Sequence, residues 1–536
     1  MVQMHWFDEL LGRAEEFLRG RERILCNAGL SVSGLQHVGR LRGEIALNHA
    51  IVRALRLKGK KASQNLVLYT QDQWKGKEGQ LSRFKTGEGE QYIGRRLMDV
   101  PDPEGCHRNW VEHYWVDFGD YLDRFAPGIS VISTTELYSR QDMKDLVIEL
   151  VGKKEAVRDV VNKYRSRKPY PAGWIPFEAY CEKCRRVGNA KTLELLSGYR
   201  VRYECECGSS GASPIEKGKL NWRLEWPALW KVLKVDVEPF GKDHAAPGGS
   251  RDSCREIAKE IMRMEAPFPI AYEWVGLGKG GKDLGDMGSS DFIGFTPKQW
   301  LEIGDPEVIR YVYFFNPVSR RVVLDMGRVD SYHDLFDSAE RAYHSAKRNE
   351  EEEVAARSFE LALVEKTMEE MPFQLSYRHS AYLSQISPAE RKVGWCIQRL
   401  RDTGMLSLPL TPFEEGRIER RLTQAVRWVE LYSPENKVTL LQTLTRNVIE
   451  QLDEKDKGAL SMYLKAATSA EWREDAIKES MVALTKGGKL PVDTPRFFRD
   501  LYLVILGQER GPRAAPFLAV LKKDWVLQRL KESAES

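Results

Sequence analysis

At 536 residues the chain is too long for one core, and two to four domains are expected. Apolar residues make up 42% and charged residues 30%, as in ordinary globular proteins, and no run reaches the roughly eighteen apolar residues that a membrane span needs. A formal net charge of +4 excludes a general nucleic-acid coat, while leaving room for one basic face that grips one nucleic acid.

The chain opens "MVQMHWFDELLGRAEEFLRGRERILCNAG", an amphipathic helix and then a strand, without the charged–apolar–small layout of a secretion signal. A cytoplasmic protein is expected. Residues 23–28 are a short apolar strand, followed by the glycine-rich turn "GLSVSGLQHVGRLRGE", a helix "EIALNHAIVRALRLKG" closed by Gly59, and a second strand "NLVLYT". Strand, glycine turn, helix, strand is the opening of a nucleotide-binding α/β unit. Residues 72–110 are polar and glycine-rich, and read as an insertion or lid. "ISVISTTELY" reads as a strand and 140–167 as a helix pair.

Residues 169–218 change character to glycines, short strands and four clustered cysteines. The α/β pattern returns over 219–327, with "WKVLKVDVEPFGKDH", a helix at 250–264 and a strand in "PIAYEWVGL". From 328 to 536 nearly everything reads as helix. The run Glu350 to Glu353 reads as a solvated helix face. The expected organisation is therefore 1–168 and 219–327 as two halves of one α/β domain, 169–218 inserted between them, and 328–536 all helical.

Three constellations carry chemistry. In the first, His37-Val38-Gly39-Arg40 sits where a strand turns into a helix. Backbone N–H groups and the positive end of the helix dipole face an anion there, and Gly39 admits a flat ring close to the backbone. The bland alternative is a satisfied turn histidine. In the second, Cys181, Cys184, Cys205 and Cys207 form two close pairs about twenty residues apart, which suits a structural, four-thiolate zinc site. The competing reading is four free thiols in a ribbon that has lost its metal. The other four cysteines, Cys26, Cys106, Cys254 and Cys396, read as ordinary buried thiols. In the third, Glu238 and Lys242-Asp243-His244 flank a strand end, where ligands gather in parallel sheets. Trp222, Trp226 and Trp230 lie four apart on one helical face, either lining a site or packing a core.

In this order, "GLSVSGLQHVGRLRGE", "CEKC…CEC" and "KLNWRLEWPALWKVLKVDVEPFGKDHAAPGGS" resemble the class I lysyl-tRNA synthetases. "WLEIGDPEVIRYVYFFNPVSR" and the C-terminal "LYLVILGQERGPRAAPFLAVL" extend the resemblance over essentially the whole chain. It implies a class I Rossmann catalytic domain with a zinc-ribbon insertion, then an all-α anticodon-binding-like region. It further implies ATP-dependent activation of lysine and transfer to tRNA, with ATP, Mg2+ and Zn2+ as the cofactors. Carried over residue by residue, His37, Gly39 and His244 fall at catalytic positions, with His37 and Gly39 contacting ATP. Gly29, Ser31, Trp222, Asp243 and His244 fall around lysine.

The departures are specific. The family's Lys-Met-Ser-Ser-Ser-Lys-Gly loop becomes Asp286-Met287-Gly288-Ser289-Ser290-Asp291-Phe292, so both phosphate-gripping lysines become acids. Arg40 stands where the family commonly has Asn, Val32 where it has Pro, and Gln73 beside Asp72 where it has an acidic pair. Three readings follow: an active enzyme using Lys279, Lys282 and Arg40 on the phosphates instead; a catalytically impaired paralogue that binds tRNA, an amino acid or a protein partner; or an enzyme with altered chemistry. In the helical tail, Arg417, Arg420, Arg421 and Arg427 form a stripe suited to a tRNA backbone, with a solvated face paired to Glu419 and Glu430 as the alternative. The sequence leaves oligomeric state open.

Overall fold

The computed structural model describes residues 4–165, 167–364, 368–388, 392–486 and 488–536. The chain divides into two compact units. The first takes 1–301, 305–325 and 339–367, and the second takes 302–304, 326–338 and 368–536.

The first unit is built on a five-stranded parallel sheet. Strands β1 (Arg23–Leu30), β2 (Lys61–Leu68) and β3 (Ser130–Ser133) lie on one side of the sheet's centre. An antiparallel ribbon follows: β4 (Phe177–Glu178), β5 (Ala190–Leu196), β6 (Arg200–Cys205), β7 (Ser210–Pro214) and β8 (Lys219–Leu220), ordered β7-β6-β5-β4-β8. The chain then re-enters the parallel sheet with β9 (Val237–Gly241) and β10 (Phe268–Tyr272), giving the order β10-β9-β1-β2-β3. A small second sheet, β11 (Val275–Lys279), β12 (Lys282–Asp286) and β13 (Val322–Asp325), has β11 in the middle. "PIAYEWVGL" thus supplies two strands in two different sheets.

β1 and β2 are apolar runs buried on both faces, as central parallel strands must be. Their buried polar groups pair with each other. Asn65 donates to Asn27 Oδ1 (2.8 Å) and Asn27 donates to Glu238 Oε1 on β9 (2.8 Å). A ladder of side-chain hydrogen bonds therefore crosses three adjacent strands. Sheet order reverses between β1 and β9, the place where ligands bind in open parallel sheets.

Two local expectations need correcting. The helix after the glycine turn begins earlier, with a 3-10 turn at Val38–Leu41 and a π turn at Arg42–Leu47 before the α-helix Asn48–Leu57. Within that π turn Gly43 makes room for Tyr272, whose ring would lie 2.2 Å from an added Cβ. "ISVISTTELY" is strand only over Ser130–Ser133. The hydroxyl of Ser133 then accepts from Glu136 N (3.1 Å) while Glu136 accepts from Ser133 N (2.8 Å), a capping box that starts the helix Thr134–Ser139. Glu350–Glu353 are the exposed or partly exposed first turn of the helix Glu350–Ala362, capped by Asn349.

The described residues of the second unit are helical, and its largest core cluster includes Tyr463, Phe497, Leu501, Val504, Phe517 and Leu530. His379 is buried there, and burial lowers its imidazole to about 4. The unfolded chain, with an ordinary value near 6.5, binds that proton more readily, so the histidine's contribution to stability is present at neutral pH and is lost as pH falls from about 6.5 through 4. The stability advantage of the wild type over His379→Gln in urea unfolding is expected to be smaller at pH 4 than at pH 7.5, by roughly 3 kcal/mol.

Candidate active site

A cavity of about 440 Å³ opens at the C-terminal ends of β1 and β9, wholly within the first unit. It gathers residues from both halves of the sheet and from the segment after β12.

On the β1 side, Gly29 lines the cavity because a Cβ there would sit 2.5 Å from the Tyr69 ring. The chain then turns to His37, whose imidazole is buried with no hydrogen-bond partner at Nδ1. Burial, and then the charge of Arg40, lower His37 to about 3, so near neutral pH the ring is uncharged and carries a single N–H. Gly39 faces the same cavity, and a Cβ on it would meet His37 Nδ1 at 2.9 Å. Arg40 donates from Nε to Ser289 Oγ (3.1 Å) and reaches Glu44 at 3.8 Å, leaving its charge at the cavity wall.

The opposite wall is aromatic and acidic. Asn221 caps the helix Trp222–Leu233, which stacks Trp222 on Trp226 (5.4 Å between centroids) and Trp226 against Trp230 (5.3 Å). The indoles of Trp226 (3.0 Å) and Trp230 both donate to Glu238 Oε2, so the tryptophans serve core and site together. Burial pushes the Glu238 carboxyl up to about 7, against Arg251 and these three N–H donors. His244 lies 5.2 Å from Trp226 and 5.8 Å from Trp222, and Asp243 lines the cavity beside it. Ser31 is not part of the lining.

Sequence reasoning missed Glu44, Tyr69 and Tyr272, which line the cavity. Glu44 is buried, Tyr272 hydrogen-bonds to it, and its Oε2 has no partner. Burial raises its carboxyl, opposed by Arg40. The one signal was a carboxylate leading the apolar run "EIAL".

The acid-bearing segment closes the cavity. Met287 N donates to Val275 O (2.9 Å), and Gly288 and Ile293 exchange two backbone bonds, at 2.9 and 3.0 Å. Phe292, at a φ of 57°, inserts its ring between Arg83 (4.0 Å), Tyr114 (5.2 Å) and Trp110 (6.1 Å). Asp286, Met287, Gly288, Ser289 and Asp291 line the cavity, whereas Ser290 does not. Both acids have cationic partners: Arg321 Nε donates to Asp286 Oδ1 (2.5 Å), and Lys77 Nζ lies 3.3 Å from Asp291. Arg321 also pairs with Asp283, which it holds down at about 2. Lys279 and Lys282 flank the Gly280-Gly281 turn of the β11–β12 hairpin and do not line the cavity.

Cys181 and Cys184, in the turn after β4, meet Cys205 and Cys207 at the β6–β7 turn. The Sγ–Sγ distances are 3.7 Å (Cys181–Cys207) and 3.6 Å (Cys184–Cys205). Zinc–sulfur bonds of about 2.3 Å give a tetrahedral edge of roughly 3.8 Å, so the four thiolates fit zinc.

The arginine stripe of the second unit is corrected. Arg417 and Arg421 are buried against Asp337, with Arg417 Nη2 at 3.2 Å and Arg421 Nη1 at 2.6 Å from its carboxylate. Their spacing of four places both on the inner face of the helix Pro412–Tyr432, where a buried acid requires them. Only Arg420 and Arg427 are exposed, and Arg427 pairs with Glu430 (3.3 Å).

The family description "tRNA synthetases class I (K)" matches residues 4–365. The chain is 40% identical over 546 aligned residues to a lysine–tRNA ligase of Aeropyrum pernix, covering 99% of this chain and 98% of that one. It is 30% identical over 530 aligned residues to a lysine–tRNA ligase of Archaeoglobus fulgidus, covering 98% and 99%. Among solved structures, a glutamate tRNA ligase of Elizabethkingia meningosepticum covers 96% of the chain at 11% identity, with a TM-score of 0.39. The chain belongs to the class I (K) tRNA synthetases.

Proposed function

We propose that the protein joins lysine to tRNA in the cytoplasm, using ATP. The observation that carries this reading is the cavity at the strand-order reversal. One end offers a neutral histidine N–H, a glycine and Arg40; the other offers a buried, under-bonded carboxylate behind aromatic walls.

The chemistry follows from charge. A lysine carboxylate oxygen attacks the α-phosphorus of ATP, pyrophosphate leaves, and a terminal ribose hydroxyl of tRNA later attacks the adenylate carbonyl, releasing AMP. Such steps depend on positioning and on neutralising phosphate charge. Gly39 lets the nucleotide rest on the backbone. His37 donates its single N–H to a phosphate oxygen without adding charge. Arg40 neutralises the β- and γ-phosphates in place of the family's loop lysines, and Lys279 and Lys282, away from the cavity, take no part. Trp222, Tyr69 and Gly29 flank the apolar stem of lysine, with Asp243 and His244 beside them. Glu44 and Tyr272 accept from its ammonium, since a buried carboxylate with a free oxygen is stabilised most by a cation.

Asp286 and Asp291 do not oppose the phosphates with full charge, because Arg321 and Lys77 are already on them. Magnesium, when bound, supplies further charge neutralisation, and carboxylate oxygens at the cavity rim suit it. Zinc on the four cysteines has a structural role, since four thiolates leave no open position. Exposed Arg420 and Arg427 remain the tRNA-facing part of the former stripe.

Lysine-dependent ATP–pyrophosphate exchange tests the reading. Exchange is expected. Arg40→Ala should lower kcat/KM for ATP about 10- to 150-fold, the range set by losing one charge-assisted hydrogen bond of about 1.5–3 kcal/mol. Glu44→Gln should raise KM for lysine by a similar factor while leaving KM for ATP within about threefold. Absence of exchange with tRNA binding intact would instead establish a binding paralogue, the reading that the acids in the loop favour.

A further inference from the structure

A second cluster of metal-ligating side chains lies outside the cysteine ribbon. Asp102, Cys106, His107 and His113 each bring one donor atom into a group whose members all lie within 4.8 Å of one another. They fall in one short segment, "DPEGCHRNWVEH", which ends in the first turn of the helix Trp110–Gly119. We infer that these four residues bind a divalent metal, zinc by their chemistry, and that the metal staples this segment beneath the loop that carries Asp286 and Asp291.

The geometry is that of a contracted tetrahedron. Cys106 Sγ lies 3.0 Å from His107 Nδ1 and 3.2 Å from His113 Nδ1. Asp102 oxygens lie 3.0 Å from His113 Nδ1 and 3.7 Å from His107 Nδ1. Bonds of about 2.0–2.3 Å to oxygen, nitrogen and sulfur give edges of roughly 3.3–3.8 Å, a few tenths of an ångström outward from the shorter of these contacts. One thiolate, two imidazoles and one carboxylate form a borderline-soft set that suits zinc over magnesium or calcium.

The donors are held in place by the chain around them. Asp102 is buried, and its oxygens accept from the backbone N–H groups of Glu104 (2.9 Å) and His107 (2.6 Å), which fixes the carboxylate. Glu104 lies 3.8 Å from the other ring nitrogen of His113, the outer-shell partner that a ligating histidine usually has. Asn109 caps the helix by accepting from Glu112 N (3.0 Å). The segment between Val100 and that cap has no helix or strand of its own, so a metal would supply what secondary structure does not.

The consequence reaches the cavity through aromatic rings. His113 is followed by Tyr114, which contacts Trp110 (4.5 Å) and Phe292 (5.2 Å), and Trp110 contacts Trp74 (5.5 Å). Phe292 is the loop residue next to Asp291. A metal at Asp102, Cys106, His107 and His113 therefore fixes the surface on which the loop is seated.

Zinc content of the full-length protein after dialysis against metal-free buffer tests this. About two equivalents per chain are expected, one per cluster. Cys106→Ser and, separately, His113→Ala should each lose one equivalent, and Cys181→Ser/Cys184→Ser the other. In the cobalt-loaded protein, Cys106→Ser should remove the weaker, single-thiolate part of the sulfur-to-metal charge-transfer absorption. Loss of the Cys106 equivalent should change the near-ultraviolet circular dichroism of the aromatic cluster, while loss of the ribbon's metal should not. If the variants do not accumulate as folded protein, graded chelation of the wild type reads the same stoichiometry, and release in two phases supports the site. A wild type with one equivalent, lost entirely with Cys181 and Cys184, or a Cys106→Ser protein with unchanged metal content, would overturn it.

Discussion

The ion pair between Arg321 and Asp286 is the contact on which the mouth of the cavity depends. Arg321 stands at the start of β13 and Asp286 at the end of β12, with β11 between them. To reach the acid, the guanidinium crosses the face of β11 at Gly276, where a Cβ would lie 2.3 Å from Nη2. The glycine in the middle strand and the acid on the edge strand therefore belong to one device. It ties the three strands together and delivers Met287, which bonds back to Val275, to the rim. An exposed ion pair by itself is worth about 0–1 kcal/mol. Its importance here is electrostatic: it settles what charge a triphosphate meets.

That charge balance resolves the oddity of the loop. In the family pattern two lysines close on the phosphates, whereas here two acids stand in their place. Lys77 covers Asp291 as Arg321 covers Asp286, and Arg40 reaches the segment from the turn after β1 through Ser289. The loop is also seated by packing, with Phe292 among Arg83, Trp110 and Tyr114. Base has moved from the loop to the elements around it. A cation at Arg40 is held by a turn within the sheet domain, so it needs no loop closure to stand at the phosphates.

Much of this was legible in the sequence, for definable reasons. The glycine turn after β1, the cysteine pairs and the tryptophan helix are local patterns whose chemistry is fixed by spacing. Contacts between distant segments were not legible. Glu44 reads as a helix-surface acid until Tyr272, more than two hundred residues later, packs on it. Asp337 gives no sign that it will bury Arg417 and Arg421, so their helical spacing suggested an outward stripe when it marks the inward face. Cys106 was grouped with the ordinary buried thiols; Cys26, Cys254 and Cys396 are buried, whereas Cys106 is exposed among histidines. A single cysteine with scattered His and Asp partners carries no pair spacing to recognise.

The central claim is that the acids at the rim are compatible with nucleotide activation because cations of the same chain neutralise them. At about 6 Å and an effective dielectric near 20, one uncovered charge costs a neighbouring anionic charge about 3 kcal/mol, enough to slow the reaction well over tenfold. Lysine-dependent ATP–pyrophosphate exchange in Arg321→Ala, compared with Arg321→Ala/Asp286→Asn, tests this most directly. The account predicts a loss of about tenfold or more in the single variant, largely recovered when Asp286 is also neutralised. An Arg321→Ala protein that exchanges at the wild-type rate, or a double variant as slow as the single one, would contradict it.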